Sequence, residues 1–161
     1  MEIKRYGAKE FLAAGKLCIR ENEIHIWCIC WPEMTDFWVN HEYILSGQES
    51  EQVGRFRFSE DRMRYIAGKV VVRLLLKRYL DVETIDFSVS ERGKPYHKKI
   101  AGKQTVDFNI SHSGEFILAG FAVGMDIGVD VQEMAGCPDY WEIAGNFYTE
   151  EEAEDVIKEG S

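Results

Sequence analysis

The chain has 161 residues, of which 45% are hydrophobic and 12% aromatic, which is enough to build one compact core and excludes a disordered chain. A formal net charge of −9 argues against a surface that binds nucleic acid as a whole, and no apolar run approaches the roughly 20 residues that a membrane helix needs. The first ten residues lack the hydrophobic stretch of a secretory signal, so we expect a cytoplasmic protein. Its four cysteines are expected to be reduced thiols, namely Cys18, Cys28, Cys30 and Cys137.

The first half of the chain predicts one buried strand and one long helix. Residues 24–31 are β-branched and aromatic and stop at Pro32, which predicts a buried strand. Residues 35–45 predict a short helix, and residues 46–54 a polar turn. Ser59 fits the N-cap of a helix that ends near Leu80. Its apolar residues recur every three or four positions and predict one buried stripe, made of Met63, Ile66, Val70 and Leu74.

The second half predicts strands followed by a helix. Apolar and polar residues alternate over residues 85–90, 106–111 and 127–132, and residues 116–123 form an apolar run that pairs in a hairpin with its predecessor. A last helix is predicted from residue 149 to about 158. These elements indicate an α+β fold in which a largely antiparallel sheet is covered by one long helix.

Charge is distributed unevenly along this acidic chain. Residues 55–103 contain 13 basic and 6 acidic residues, a net charge of +7, while the remainder carries −16. Such a basic region favours an anionic ligand or partner, with an ordinary solvated helix face as the alternative.

Three short segments carry polar residues that a core does not need. In residues 92–95, Gly93 and Pro95 shape a turn that holds Lys94 in place, either to meet a phosphate or as a plain surface lysine. In residues 108–114, Ser111 and His112 place a hydroxyl and an imidazole at a strand end, where they could bind phosphate or merely cap a hairpin turn.

The third segment, residues 126–132, combines carboxylates and an amide on one face. On a strand, Asp130 and Gln132 would lie about 7 Å apart, within reach of one Mg²⁺ ion, whereas Asp126 would lie too far from Asp130 to share it easily. The alternative is the solvent face of an edge strand. Farther along, Thr149 and Glu152 form a capping box, which is a sufficient structural reason for that glutamate.

Taken in order, these motifs resemble the 4′-phosphopantetheinyl transferases, in the larger form that activates surfactin synthetase. The resemblance rests on four motifs and extends from about Arg55 to Val156: RGKP (92–95), FNISHSG (108–114), IGVDV (127–131) and FYTEEE (147–152). It implies transfer of the 4′-phosphopantetheine arm of coenzyme A to a serine of an acyl or peptidyl carrier protein, with Mg²⁺ on the pyrophosphate.

The resemblance also implies residue roles. Five residues would hold the nucleotide and its 3′-phosphate: Arg64, Lys94, Pro95, Ser111 and His112. Asp130 and Gln132 would ligate the metal, and Glu152 would lie close to the reaction centre as the catalytic residue. From charge alone, the helix residues Arg73, Lys77 and Arg78 could face an acidic carrier protein.

Two departures from the family pattern bear on activity. Gln132 stands where family members often have Glu, so the metal should bind more weakly, and the Trp-x-x-Lys-Glu motif is absent. Members of this type consist of two similar halves, and this chain matches the first half, residues 1–124, and only the opening of the second, residues 125–161. We therefore expect a C-terminally truncated form whose exposed apolar surface favours a homo-oligomer. The alternative function is a catalytically incomplete fragment that only binds coenzyme A or a carrier protein.

Overall fold

The fold is taken from a computed structural model, which describes residues 1–89, 95–98 and 100–133. Those residues form six strands and four α-helices. In chain order the elements are β1 (Glu2–Tyr6), α1 (Ala8–Ala13), β2 (Glu23–Cys30), α2 (Thr35–Asn40), α3 (Gly47–Val53), α4 (Ser59–Leu80), β3 (Phe87–Val89), β4 (Pro95–His97), β5 (Val106–Ser113) and β6 (Phe116–Val123). The chain is thus α+β, as the sequence predicts.

The main sheet has four strands in the order β1–β2–β6–β5, and it is mixed rather than antiparallel. The pairs β2–β6 and β5–β6 are antiparallel, but β1 runs parallel to β2. The prediction of an antiparallel sheet missed β1 because its sequence, EIKRY, is mostly charged and shows no apolar alternation. Parallel neighbours need a crossover, and α1 lies in the connection from β1 to β2.

Strands β3 and β4 form a separate antiparallel pair beside the main sheet. The β5–β6 hairpin turns at Gly114, whose φ of 53° lies in the left-handed region that glycine adopts without steric cost. The predicted hairpin of residues 106–111 with 116–123 is therefore confirmed, with a longer first strand.

Helix α4 has the length that the sequence predicts, from Ser59 to Leu80. Ser59 is the first helical residue rather than the N-cap, a position that Phe58 occupies without a capping side chain. The predicted stripe faces the core, but the buried face is wider, because side chains on either side of the stripe are buried as well. The buried residues of α4 include Ile66, Ala67, Val70, Val71, Leu75 and Leu76.

Residues 46–54 were predicted as a polar turn, and that prediction is wrong. They contain α3, which begins with a capping box in which the Ser46 side chain accepts from the Glu49 N–H and the Glu49 carboxylate accepts from the Ser46 N–H. Capping stabilises a helix whose own residues are polar, so apolar periodicity gave no signal. The predicted helix over residues 35–45 is shorter, ending at Asn40 before a 3-10 turn, Glu42–Ile44.

Residues 127–132 alternate in burial as a strand would, but they belong to neither of the two sheets formed by the described residues. The predicted helix at 149–158 and two predicted site residues, Lys94 and Glu152, lie outside the described residues. Among the helices that the structure does describe, none combines the length and apolarity needed to cross a bilayer.

Candidate functional site

An open cleft of about 650 Å³ lies between α3, α4 and the strands β3, β4 and β5. Its apolar lining comes from α4 and the strands, including Val72 of α4, Ile85 ahead of β3, and Phe108 and Ile110 of β5, whereas α3 contributes only polar side chains. Polar groups at its edge include Tyr65, Lys69 and Arg73 from one face of α4. The lining is therefore mixed, and it includes the carboxylates of Glu49 and Asp86 as well as cationic side chains. A concave site with convergent polar groups is a common form of a small-molecule site.

The cleft brings together two residues that the sequence singled out. His112, near the end of β5, is exposed, and Pro95, the first residue of β4, is half-buried; both line the cleft. The even-numbered residues of β5 face this side, since adjacent strand residues point to opposite faces. The structure therefore places an imidazole, a rigid proline edge and the Lys69 ammonium around one cavity.

One wall of the cleft is held by an ion pair that sequence analysis missed. The Arg73 guanidinium donates to a Glu49 carboxylate oxygen at 2.5 Å and to the Ile85 carbonyl oxygen at 3.3 Å, and it lies 4.6 Å from the centre of the Phe87 ring. Lys69 approaches the same carboxylate at 3.5 Å. The pairing links α3 and the β3 segment to α4, and the Ser46-x-x-Glu49 capping pattern was the sequence signal that could have located α3.

The electrostatics of Glu49 follow from these contacts. Burial opposes ionisation of the Glu49 carboxyl, but hydrogen bonds from the Ser46 N–H and from Arg73 outweigh it, so the pKa of Glu49 is lowered. The carboxylate is thus charged at neutral pH and forms an ion pair with Arg73.

Arg78 also donates a hydrogen bond inside the fold, to the Phe11 carbonyl oxygen at 2.7 Å. Both arginines thus have partners inside the fold, and the carrier-facing role that charge alone suggests for them stays a prediction.

Arg64 lies at the β5–β6 turn rather than in the lining of the cleft. Its Nε donates to the Gly114 carbonyl oxygen at 3.0 Å, and its Nη1 donates to Asp61 at 2.9 Å. The indole N–H of Trp31 donates to the same carbonyl at 3.1 Å. These contacts fix the guanidinium beside the strand end that carries His112.

The opposite face of the sheet carries the residues predicted to bind metal. Residues 126–133, here called the acidic segment, run across β5 and β6 on the side away from α4. The side chains of Asp126, Asp130 and Gln132 are exposed, whereas Ile127 and Val129 pack toward the sheet. The sequence-based prediction that Asp126, Asp130 and Gln132 share one face is confirmed.

The acidic segment is bound to β5 through side chains instead of a strand ladder. Three odd-numbered residues of β5 each accept a hydrogen bond from a backbone N–H of the segment, and this set of bonds is here called the side-chain ladder. The pairs are Asn109 with Val129 (2.9 Å), Ser111 with Val131 (3.2 Å) and Ser113 with Glu133 (2.9 Å).

Ser111 makes a second contact that ties two predicted roles together. Its hydroxyl donates to Asp130 Oδ1 at 2.7 Å, so a predicted nucleotide ligand bonds directly to a predicted metal ligand. Ser111 and His112 consequently lie on opposite faces of β5, and the structure does not bring them into one pocket.

A glycine in β6 lets the segment approach the sheet closely. A Cβ atom at Gly120 would lie 2.6 Å from Val129 Cγ1 and 2.8 Å from Ile127 Cδ1, distances that real Cβ atoms do not show. A larger residue at this position would therefore force the two apolar side chains or the strand to shift.

The donor set of the acidic segment suits a weak Mg²⁺ site. Asp130 offers a carboxylate and Gln132 an amide oxygen, both oxygen ligands of the kind Mg²⁺ prefers, and both side chains are exposed on one side. Within residues 1–89, 95–98 and 100–133, no group of three or more His, Cys, Asp or Glu residues is placed to hold a metal. Phosphate oxygens of a substrate and waters would have to complete the coordination.

Comparison with known proteins finds similarity to 4′-phosphopantetheinyl transferases. A family model described as "4′-phosphopantetheinyl transferase, N-terminal" matches residues 30–122. The 4′-phosphopantetheinyl transferase Sfp of Bacillus subtilis is 35% identical over 115 residues, which cover 70% of this chain and 49% of that protein. The 4′-phosphopantetheinyl transferase HetI of a Nostoc species is 29% identical over 140 residues, covering 86% of this chain and 59% of that protein.

A mammalian relative is also similar. The L-aminoadipate-semialdehyde dehydrogenase-phosphopantetheinyl transferase of Rattus norvegicus is 24% identical over 142 residues, covering 80% of this chain and 45% of that protein. The chain spans about half the length of the curated relatives it matches.

Proposed function

Since the chain belongs to the 4′-phosphopantetheinyl transferase family, we propose that it takes part in moving the phosphopantetheine arm of coenzyme A to a serine of an acyl or peptidyl carrier protein. The observation that carries this proposal is the cleft in which His112 and Pro95, from two separate motifs, line one cavity with Tyr65 and Lys69. We assign that cleft to the adenosine 3′,5′-bisphosphate part of coenzyme A.

The chemistry of the cleft supports a nucleotide with phosphate groups. Apolar side chains such as Phe108 and Ile110 offer surface to a base, while the His112 imidazole offers a donor to a phosphate. Arg64, fixed at the adjoining turn, and Lys94, which precedes Pro95 in the chain, are the proposed further phosphate ligands. Ser111 is also proposed as a nucleotide ligand from the resemblance, and its hydroxyl donates to Asp130 in this structure.

The metal belongs to the same proposal. Asp130 and Gln132 would hold Mg²⁺ together with pyrophosphate oxygens, and Glu152 is the proposed catalytic residue near the reaction centre. When bound, Mg²⁺ supplies Lewis-acid neutralisation of the pyrophosphate charge. The residues of the chain hold the nucleotide in place while the carrier serine oxygen bonds to the phosphorus of the arm.

The atoms balance in that transfer. A P–O bond to the carrier serine forms, the P–O bond to the nucleotide phosphate breaks, and adenosine 3′,5′-bisphosphate leaves with the electron pair. The serine proton passes to a base, a role that fits a carboxylate such as Glu152. Catalysis then depends mainly on orientation and charge stabilisation, as in other phosphoryl transfers.

The test is the intact mass of a purified apo carrier protein after incubation with the chain, coenzyme A and Mg²⁺. The expected result is a gain of one phosphopantetheine group, lost in His112→Ala and kept in Tyr43→Ala, which alters a side chain that is 81% exposed and does not line the cleft. No gain with the wild-type chain, at protein concentrations where coenzyme A is bound, would contradict the catalytic proposal.

A second candidate function is a module that binds coenzyme A or a carrier protein without transferring the arm. The observation that favours it is Gln132, because an amide oxygen in place of a carboxylate weakens the metal site. This candidate predicts nucleotide binding that depends on His112 but no mass gain on the carrier. Gln132→Glu separates the two candidates further, since it should raise transfer activity only in a chain that has the rest of the machinery.

Two further proposals concern the surroundings of the protein. The thiols of Cys18, Cys28 and Cys30 are free, in line with the proposed cytoplasmic location.

Exposed apolar side chains support the proposed self-association. On the sheet face away from α4, Ile3 and Phe116 are 49% and 45% exposed. Sedimentation at micromolar concentration tests it, and a purely monomeric species would contradict it.

A further inference from the structure

We propose that Trp31 is a positioning residue for Arg64, an inference that rests on the proposed function for its chemical meaning. The indole N–H of Trp31 and the Nε–H of Arg64 donate to the same acceptor, the Gly114 carbonyl oxygen, at 3.1 and 3.0 Å. Trp31 directly follows β2, Arg64 belongs to α4, and Gly114 lies in the turn between β5 and β6. Three parts of the fold therefore meet at one oxygen atom.

The shared oxygen atom couples the positions of its two donors. A carbonyl oxygen has two lone pairs, and these two N–H groups use both of them. Without the indole N–H, the Gly114 carbonyl would be held by the Arg64 guanidinium alone. The turn and the guanidinium could then move together relative to β2, so the bond from Trp31 limits where Arg64 lies.

Trp31 is itself held firmly enough to act as the fixed point. The residue is buried, and its backbone N–H donates to the Glu115 carbonyl oxygen at 2.9 Å, directly after the paired residues of β2 and β6. Its own carbonyl oxygen accepts from the indole N–H of the fully buried Trp38 at 2.7 Å. Because the surrounding fold already orders this residue, its bond to Gly114 costs little further conformational entropy.

Arg64 keeps part of its guanidinium available while it is anchored. A guanidinium has five N–H groups in one rigid plane. The Nε–H bonds to Gly114 and an Nη1–H bonds to Asp61 at 2.9 Å, whereas Nη2 has no partner among the described residues. Bonds to two different groups fix the plane of the guanidinium. The side chain is 22% exposed, so the remaining N–H groups can meet a phosphate oxygen.

His112 does not depend on the indole in the same way. It lies within β5 and pairs with Ile117 of β6, so the strand ladder sets its place. Arg64 has no such ladder, and its guanidinium is positioned by the bonds to Gly114 and Asp61. Preorganised groups bind a ligand more tightly, because less conformational entropy is lost on binding. Trp31 should therefore affect nucleotide affinity through Arg64.

Trp27 offers a matched control for the same substitution. Its indole N–H also donates to an oxygen inside the fold, the Tyr79 hydroxyl at 3.0 Å, and the residue is buried. Tyr79 lies about 22 Å along α4 from Arg64, at the usual rise per residue. Trp27→Phe therefore removes an indole N–H from the core while the Gly114 carbonyl keeps both of its donors.

The experiment compares the wild-type chain with Trp31→Phe and Trp27→Phe by two measurements. Exchange of the Arg64 Nε–H with water, followed by NMR without ligand, reports how firmly the guanidinium is held. Calorimetric titration with metal-free adenosine 3′,5′-bisphosphate reports the consequence for binding. We expect Trp31→Phe to speed the exchange and to lower the affinity about three- to tenfold, as for one ordinary hydrogen bond. Trp27→Phe should change neither.

A double variant shows whether Trp31 acts through Arg64. Arg64→Ala should lower the bisphosphate affinity about tenfold or more, since it removes a charged hydrogen bond. Adding Trp31→Phe to Arg64→Ala should lower it by less than about twofold further, because no guanidinium remains to be positioned. A further loss as large as in Trp31→Phe alone would mean that Trp31 acts by another route, and it would overturn the proposal.

Other contrary results are equally definite. Unchanged exchange or unchanged affinity in Trp31→Phe would overturn the proposal, and so would equal effects in Trp27→Phe. Rapid exchange of the Arg64 Nε–H in the folded wild-type chain would overturn it even if Trp31→Phe did not fold. If the wild-type chain does not bind the bisphosphate, the proposed function fails, while the exchange measurements still decide whether Trp31 positions Arg64.

Discussion

Ser111 and His112 are neighbours in β5, yet their side chains lie on opposite faces of the sheet, one bonded to Asp130 and the other lining the cleft beside α4. The motif of residues 108–114 therefore contributes side chains to both faces of β5. The cleft face supplies the proposed nucleotide contacts, and the opposite face holds the segment that carries the proposed metal ligands. The strand between them keeps the two sites at a fixed separation.

Close packing at Gly120 predicts a specific sensitivity. Gly120→Ala places a Cβ atom 2.6 Å from Val129 Cγ1, so the acidic segment must shift or the strand must distort. Overpacking of this kind costs about 1 to 3 kcal/mol. We expect a loss of that size in urea unfolding, together with faster amide exchange at Val129 and Val131.

Gly128→Ala is the control for that prediction. A Cβ atom at Gly128 meets nothing within 4 Å, so the free energy of unfolding should change by less than about 1 kcal/mol. Equal losses in the two variants would show that close approach at Gly120 is not what limits substitution.

The Arg73–Glu49 ion pair predicts how the cleft wall responds to mutation. Arg73→Ala removes the hydrogen bond to Glu49 and the stacking on Phe87, and it leaves a half-buried carboxylate with fewer partners. We expect a loss of about 1.5 to 3 kcal/mol, typical of hydrogen bonds to charged groups, measured by urea unfolding.

Lys69 offers the comparison for the cleft wall. Its ammonium approaches the same carboxylate at 3.5 Å and its side chain is 37% exposed, so Lys69→Ala should cost less than about 1 kcal/mol. A loss in Lys69→Ala as large as in Arg73→Ala would contradict the assignment of the cleft wall to Arg73.

Acid sensitivity should come in part from Glu23. Hydrogen bonds from Lys4 and from the Arg20 N–H lower the pKa of the Glu23 carboxyl to about 2, from 4.5 for an unperturbed glutamate. Because the folded-state pKa is depressed, the stability that Glu23 contributes is present above pH 4.5 and is lost as the pH falls toward 2.

The measurement for Glu23 is urea unfolding at a series of pH values. Glu23→Gln should show a shallower loss of stability between pH 4.5 and 2 than the wild-type chain, whereas Glu21→Gln, at an exposed position nearby, should follow the wild-type curve. Identical slopes for wild type and Glu23→Gln would rule out this carboxyl as a source of the acid sensitivity.

The secondary-structure elements differed in how clearly the sequence pattern predicts them. Helix α4 was predicted over its full length, because apolar residues recur every three or four positions between the start at Ser59 and the end near Leu80. Strand β1 gave no such period, since its charged residues depend on pairing with β2 for their place in the sheet. The start of helix α3 is marked by the capping box of Ser46 and Glu49. The helix was missed because Val53 is its only buried residue, so it has no apolar face.

The candidate site shows the same division. Alternation correctly placed Asp126, Asp130 and Gln132 on one exposed face, but it could not show that the segment is held by side chains of β5. The two faces of β5 were implicit in the strand assignment, since Ser111 and His112 are adjacent. Family resemblance predicts that both residues contact the nucleotide, and the structure shows that their side chains lie on opposite faces of β5.

The central claim is that the cleft beside His112 binds the nucleotide part of coenzyme A, and calorimetric titration with adenosine 3′,5′-bisphosphate tests it most directly. The account predicts binding by the wild-type chain, unchanged binding by Tyr43→Ala, and a loss of at least about tenfold in His112→Ala, equivalent to one charge-assisted hydrogen bond. Equal affinity for wild type and His112→Ala, or no binding by the wild-type chain, would contradict it.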